Sequence, residues 1–344
     1  MPVTLNKNYQ RAWAVDAVDL TLSVDDFMVR YMLPHLRSIH AQIEQDVMLA
    51  LQAYSENAVG TPGTAITSNT ALNGLVGSAR QKLIEHLAPI GEKLFMATPP
   101  SMSNLGYTYT TNQFNPMSEI GDLQKRGVIS GLGGFEWFET TLAPTLTGST
   151  YGGTPVVNGA NQSGTTLITN GWSSGATTLT AGTTFTIANV YDVNPETKIS
   201  LGYLKQFSVV NTVSDTSGAI TVTVSPEIIG PTDPRQNVSV LPTTSDAITV
   251  LGATGVNSNC GYAFTRDAII FATADITPAG AGQMGGGVAN GGADFFTASA
   301  PELDIPVYVA CQYDIRSRQY LMRLDVLGGI APLYPQLGVK AYFS

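Results

Sequence analysis

Phe185-Thr186-Ile187-Ala188-Asn189-Val190-Tyr191-Asp192-Val193-Asn194-Pro195 is the stretch on which the reading of this chain turns. Phe185 and Ile187 alternate with Thr186 in the period of a half-buried strand. The stretch lies at the end of a longer run, Thr145 to Tyr191, that holds no Asp, Glu, Lys or Arg and is dense in Thr, Gly, Ser and Asn. Threonine is β-branched and favours strands, while the Gly, Asn and Ser clusters supply turns. Further alternations follow at Phe207 and Val209, then at Ile220, Val222 and Val224, with Asp215-Thr216-Ser217-Gly218 as the turn before the last. Short strands at this spacing point to a small β-barrel or sandwich over residues 141–255.

On the amino-terminal side the pattern changes. Ser23-Val24-Asp25-Asp26 reads as a helix start, an N-cap hydroxyl followed by acids where the helix dipole favours them. Pro34 is expected to end or kink that helix. Beyond it Leu36, Ile39, Ile43, Val47, Leu51 and Tyr54 form one apolar face, and Gly60, Pro62 and Gly63 a loop. A second amphipathic segment carries Leu72, Leu75, Val76, Ala79, Leu83, Ile84 and Leu87, with Pro89 and Gly91 as its stop. On the carboxy-terminal side, Ile305, Val307, Val309, Cys311 and Tyr313 point one way, Asp314-Ile315-Arg316-Ser317 turns, and Tyr320, Met322, Leu324 and Val326 return. A last strand has Leu337, Val339, Ala341 and Phe343 on one side. The expected class is α+β, with 1–140 and 256–344 forming a body that the β segment 141–255 interrupts.

Composition narrows the function. The 344 residues suggest about two domains at ~150 each, or one large domain with an insertion. Charged residues are 12 %, about half the usual ~25 %, and the 26 acids outnumber 17 bases for a net charge of −9. Without a Lys/Arg run, such a chain is poorly suited to gripping phosphate backbones. Apolar runs such as Ala268–Ala272 fall short of the ~18 residues of a spanning helix. Asp16 and Asp19 follow Lys7 and Arg11, so no signal peptide is expected. Cys260 and Cys311 are then expected as unbridged apolar residues in a reducing compartment.

The inventory for catalysis is thin. His35 and His40 are five apart, off the i, i+4 spacing of paired zinc ligands, and with His86 they read as helix-surface or satisfied core residues. Gly280-Ala281-Gly282-Gln283-Met284-Gly285 fits G-x-G-x-x-G, but Gly286, Gly287, Gly291 and Gly292 follow where a dinucleotide site needs a helix, so a loop is expected over 280–292. The acids at 16, 19, 25 and 26 are ordinary first-turn chemistry, and the sequons at Asn161 and Asn237 mean little without secretion. No catalytic residue, metal ligand or cofactor is expected, and no enzyme.

Several stretches, in order over about 20–344, resemble the P-22-like coat proteins among the major capsid proteins of tailed phages. They are Asp19–Phe27 with Arg30-Tyr31 and Pro34; Ile129-Ser130-Gly131-Leu132-Gly133-Gly134-Phe135-Glu136-Trp137-Phe138-Glu139; Thr147-Gly148; Phe185–Pro195; Leu204-Lys205-Gln206-Phe207; and Thr221–Pro226. Asn259–Ala268, Gln312–Ile315, Arg323–Gly329 and Leu333–Leu337 complete the set.

The resemblance implies an HK-97-like fold: a peripheral domain with a spine helix, placed around 70–88, an axial domain, and the β insertion. It implies a coat protein that assembles with itself into pentamers and hexamers of an icosahedral shell. That shell is built in the host cytoplasm and encloses double-stranded DNA without sequence-specific binding. A portal protein and scaffolding or decoration proteins are the partners it implies, with no membrane. Family members carry a longer amino-terminal region with an extended hairpin; here about 19 residues precede the match, so that arm is expected to be short, rearranged or replaced. Arg30, Arg126, Arg266, Arg316, Arg318 and Arg323 are among few cations and are the candidate subunit contacts, against the plain reading of solvated surface arginines. The competing class is an extracellular fibre, adhesin or surface-layer subunit, which the Thr/Gly/Ser-rich segment would suit.

Overall fold

The computed structural model describes residues 3–16, 31–89, 91–110, 132–274, 294–299 and 305–343. The helix start at Ser23–Asp26, Arg30, Arg126, residues 129–131 and the Gly-rich stretch 280–292 with its G-x-G-x-x-G lie outside the described residues.

In chain order come β1 (Lys7–Asp16), α1 (Leu33–Tyr54), β2 (Asn57–Val59), α2 (Asn69–Glu85), β3 (Leu94–Thr98), α3 (Pro100–Thr110) and β4 (Phe135–Glu139). The β-rich middle holds β5 (Gly153–Val157), β6 (Gly164–Trp172), β7 (Thr178–Leu179), β8 (Thr184–Val193), β9 (Ser200–Val209), β10 (Val213–Ser214), β11 (Ile220–Ile228) and β12 (Ile248–Val250). Then follow β13 (Cys260–Phe264), β14 (Ile269–Ala274), β15 (Asp294–Ser299), β16 (Pro306–Asp314), β17 (Gln319–Pro332) and β18 (Gly338–Tyr342). The chain divides into two compact units, residues 1–47 with 270–331, and residues 48–269 with 332–344.

In the first unit the sheet runs β1-β17-β16-β15, with β14 also on β17. The segment before the helices, expected as a short arm, is here a ten-residue strand paired with β17 from Lys7↔Gly328 to Asp16↔Gln319. The apolar stripe of α1 supplies its core: Ile39 and Ile43 are buried with Tyr9, Val307, Val309, Leu324 and Val326. Polar contacts fix β1 along that helix, since Tyr9 donates to Asp46 at 2.8 Å, Arg11 to Ser38 at 3.0 Å, and Trp13 stacks on His35. The break expected at Pro34 lies at the amino-terminal end of α1: residues 31–32 form a π-helical turn, and the regular α-helix starts at Leu33, beside Pro34.

The second unit holds two sheets of strands longer than a two-residue ladder. One has the order β2-β18-β13-β3-β4, with α2 laying Leu72, Leu75, Val76, Ala79 and Leu83 on one face against Val339, Ala341, Phe343 and Met96. Ser68 caps α2 by accepting from the Ala71 N–H. The opposite face packs Tyr262, Tyr342 and Cys260 against Met48 and Leu51 of α1, so β18 is buried on both sides rather than one. Both cysteines are free. Sequence periodicity picked out two helices; α3 is a third, opened by Pro100 and nearly lacking an apolar stripe, with Met102 as its buried anchor.

The other sheet is all antiparallel, β12-β8-β9-β11-β6-β5, and a bridge between Val156 and Ala247 links the flanks of its two end strands. Its core comes entirely from residues 157–250, with Leu167, Ile187, Phe207 and Val209 fully enclosed. The turn expected at Asp215–Gly218 is present and joins β10 to β11: Ser217 and Gly218 adopt positive φ, and the Asp215 carboxylate accepts from the backbone of Gly175, Thr177 and Gly218.

Gly60, just past β2, has φ +78°, and a Cβ there would collide with the carbonyl oxygen of Tyr342. Gly60→Ala should therefore lower unfolding free energy by more than about 1 kcal/mol in urea titration, with an unchanged far-ultraviolet spectrum of the folded state.

Candidate functional site

The most heavily charged buried place among the described residues gathers Glu56, His86, Asp192 and Lys205, from four different elements of the second unit. Glu56 directly follows α1 and is held by its N–H donating to Pro335 O at 3.2 Å. His86 is the C-cap of α2. Asp192 and Lys205 come from β8 and β9.

Lys205 Nζ donates to Asp192 at 3.0 Å and also to Glu56. His86 Nε2 faces Asp192 at 3.0 Å and Glu56 at 3.3 Å, while Nδ1 faces the Lys82 carbonyl at 2.8 Å. Both ring nitrogens thus meet acceptors only, so both carry a proton and the ring is an imidazolium. Burial alone would lower the His86 pKa, but the hydrogen bonds to Asp192 and Glu56 overcome it and raise the group from 6.5 to about 9. Burial likewise opposes the charge on Lys205, and the Glu56 and Asp192 carboxylates reverse the balance, raising it. For Asp192, burial works toward a higher value, and His86 and Lys205 bring it below the ordinary one. Two anions and two cations then sum to zero. Glu56, His86 and Asp192 each offer a ligand atom within 4.8 Å of the others. With Lys205 on both carboxylates and His86 doubly protonated, their charge is already neutralised without a metal ion.

The network reaches outward along α2. Lys82 Nζ lies 3.3 Å from the centroid of the Tyr203 ring, and Tyr203 donates to Glu85 at 2.8 Å.

Next to it, β9 completes backbone groups that the rest of the unit leaves open. The Gln206 amide accepts from Ala58 N–H at 2.8 Å and donates to Ala58 O at 3.1 Å, filling the place a strand neighbour would take beside β2. Ser208 donates to Ala53 O at 2.8 Å and Ser225 to Tyr54 O at 2.9 Å. Lys340 donates to Gly182 O at 2.8 Å, Ser208 Oγ at 2.9 Å and Gln52 O at 3.4 Å. Three terminal carbonyls of α1, which have no partner within a helix, are thereby satisfied. Burial pushes the Lys340 pKa down to about 7.

Of the arginines singled out from the sequence, Arg30 and Arg126 lie outside the described residues. Arg266 is exposed in the turn after β13, and Arg316 and Arg318 are exposed in the turn between β16 and β17. Arg323 is paired within its own sheet, to Asp325 at 2.8 Å and Gln10 at 2.7 Å. Among the described ones, Arg316 and Arg318 share a turn, as their sequence spacing already places them. Of the three histidines, His35 stacks on Trp13, His40 is exposed, and His86 is a satisfied core residue.

Sequence reading missed the other three members of the cluster. Continuing the alternation of Phe185 and Ile187 puts Tyr191 inward and Asp192 outward. The β8–β9 register shifts between Thr186 and Tyr191, with Asn189 at φ +65°, and the phase reverses: Asp192 is buried and Tyr191 exposed. The positive φ of an Asn in a strand is the local signal, and an Asn-containing strand with two phases of apolar residues is how it would show in sequence.

The comparisons with known proteins name the family. The family model described as P22 coat protein, gene protein 5, matches residues 10–342. The chain belongs to the P22 coat protein family. It is a major capsid protein of a tailed phage, a structural component of the virion that assembles with copies of itself into a shell. No curated protein sequence matches it. Similar solved structures include one of Mycobacterium phage Che8, at 10 % identity over 98 % of this chain and 71 % of that one, TM-score 0.46. The capsid structure of the cyanophage P-SCSP1u is 10 % identical over 99 % and 73 %, TM-score 0.46. The CUS-3 coat protein I-domain is 27 % identical over 30 % of this chain and 98 % of its own, TM-score 0.23.

Two measurements check the buried network. Gln206→Ala leaves both backbone groups of Ala58 unpaired and should cost about 2 kcal/mol or more in urea unfolding. The second is pH dependence. His86 holds a proton in the folded state between 6.5 and about 9 that the unfolded chain loses, so its stabilisation is complete below pH 6.5 and is lost as pH rises through about 9. Lys340 has the opposite sign: it lacks, between about 7 and 10.5, a proton that the unfolded chain keeps, so this term gains with pH. Over pH 7–9 the two cancel. The unaltered chain should show a nearly flat profile, His86→Gln a rise toward ~1.4 kcal/mol per pH unit, and Lys340→Met a fall of similar slope. Three parallel profiles would contradict the assignment.

Proposed function

We propose that this coat protein has an HK-97-like fold, with residues 1–140 and 256–344 forming its peripheral and axial parts and residues 141–255 forming a small inserted β-barrel. The family match over residues 10–342 carries this reading. The separate apolar core drawn from residues 157–250, and the bridge between Val156 and Ala247, support the barrel. The resemblance placed the spine helix around 70–88. We favour α1 instead: it has 22 residues against 17 in α2, and its stripe lies on the long strands β1, β16 and β17.

The chain works in this reading as pentamers and hexamers, since repeated head-to-tail contacts close into rings when the rotation permits. It assembles in the host cytoplasm and encloses double-stranded DNA without reading its sequence, as suits a wall of net charge −9 with no basic run. A portal protein and scaffolding or decoration proteins are its further partners. It works in this reading as a structural coat protein and not as an enzyme, which the family match supports.

Negative-stain electron microscopy of the chain expressed alone and with its neighbouring genes tests this. Uniform closed shells or capsomer rings are expected. Monodisperse monomers under every condition, neighbouring genes included, would contradict it.

A further inference from the structure

One buried cation of the second unit stands apart from the charged cluster. Lys340, at the centre of β18, is fully enclosed. Among the described residues no carboxylate pairs with it; the group that favours its charge is the Cys260 thiol of β13, which burial keeps neutral by pushing its pKa up to about 12. The neighbours of Lys340 Nζ are all acceptors: Gly182 O at 2.8 Å, Ser208 Oγ at 2.9 Å and Gln52 O at 3.4 Å. Ser208 spends its single proton on Ala53 O, so it has none to donate to a neutral amine. These surroundings are built for an ammonium, and a buried ammonium without a counter-charge is costly. The carboxy-terminal dipole of α1, equivalent to roughly half an elementary charge, offsets only part of it.

Open donors gather around the same place. Gln52 Nε2, Thr184 Oγ1 and Tyr342 OH are buried without a hydrogen-bond partner, in residues only 7 %, 1 % and 1 % exposed. The topology brings them to Lys340. Tyr342 lies two residues along β18, on the same face. Thr184 pairs in register with Ser208, which Lys340 contacts, and its hydroxyl is near enough to that of Tyr342 to act on its ionisation. The Gln52 side chain packs on Gly182, where an added Cβ would meet its Cγ at 2.6 Å. Polar groups left unpaired in the interior cost their full desolvation.

We propose that Lys340, Gln52, Thr184 and Tyr342 enclose a binding site for a small monovalent anion of the chloride class. An anion accepts from the Gln52 amide and from both hydroxyls. The contact from Nζ to Gln52 O is long, so that N–H can turn to the anion as well. A single negative charge balances the single ammonium, whereas a water molecule would take up hydrogen bonds and bring no charge. The enclosure and the lone cation both select a small, singly charged ion over a sulfate or phosphate. Bound there, the ion holds the Lys340 proton and joins β18 to the start of β8 and the end of α1. The site lies within the second unit and stands apart from the coat-protein reading.

The test is urea unfolding of the full chain before assembly, in sodium chloride and in sodium gluconate at equal ionic strength, gluconate being too large for the site. Thr184→Val combined with Tyr342→Phe removes two hydroxyls that hold nothing within the chain, so the fold does not depend on them. The unaltered chain should unfold at higher urea in chloride, and this gain should fall by about twofold or more in the double variant. In gluconate the double variant should match or exceed the unaltered chain, since it leaves fewer unpaired groups buried. The chloride gain should be greatest below about pH 7 and shrink above it, because a folded chain that has released the Lys340 proton must regain it to bind. The other titratable groups facing Lys340 do not ionise in that range: burial holds Cys260 and Tyr262 of β13 and Tyr342 of β18 far above it. Lys340→Met should abolish the gain. No gain in the unaltered chain, or an equal gain in all three chains from bulk salt or an adventitious ion only, would overturn the proposal.

Discussion

Four charges taken out of water together have to stay together. Placing Glu56, His86, Asp192 and Lys205 in the interior costs several kcal/mol per ion, and only their mutual attraction and hydrogen bonds offset it. Each comes from a different element, so the cluster forms only when α1's end, α2's end, β8 and β9 are all in place. A buried ion set of this kind is weak evidence for extra stability, since apolar side chains of equal volume often serve as well. Its consequence is specificity: a mispositioned β segment leaves unpaired charges rather than a slightly worse apolar contact.

The same economy runs through the rest of the second unit. The six-stranded sheet of β5, β6, β8, β9, β11 and β12 keeps its apolar residues for its own core and meets the sheet of β2 and β18 through side-chain hydrogen bonds. Gln206 occupies the open side of β2 at Ala58, and Ser208, Ser225 and Lys340 take the terminal carbonyls of α1. Open strand edges are where chains pair wrongly with one another, a hazard that grows for a protein whose work is to pack against many copies of itself. Covering Ala58 within the chain closes one such open edge.

Much of the fold was legible in the sequence. The stripe at Ile39, Ile43 and Leu51, the stripe from Leu72 to Leu83, the β segment around Phe185 and Phe207, and the hairpin of Val309 and Leu324 all follow periodicity, because burial on one face enforces it. What periodicity cannot carry is a change of phase or a second buried face. Asp192 is buried because β8 slips register around Asn189. Lys340 alternates with Val339 and Ala341 as a solvent-facing lysine would, yet β18 is a central strand with both faces covered. The break expected at Pro34 falls where a π-helical turn at residues 31–32 gives way to the regular helix α1. The ordered short motifs that carried the resemblance include Asp192 and Lys205 without marking them as buried partners; of the arginines chosen for scarcity, the described ones come together only in the turn that Arg316 and Arg318 share in sequence.

The central claim is that the buried charges lock the six-stranded sheet onto the β2 edge as one cooperative unit. Hydrogen exchange with mass spectrometry on the unaltered chain and on Lys205→Met tests it most directly. Removing that cation leaves Glu56 and Asp192 partly uncompensated, with an expected cost of about 3–5 kcal/mol. The account predicts that peptides covering β2, β8 and β9 lose protection together while those of the first unit's β1 and β17 keep theirs. Protection of β2, β8 and β9 that stays at the level of the unaltered chain, or falls in β9 alone, would contradict it.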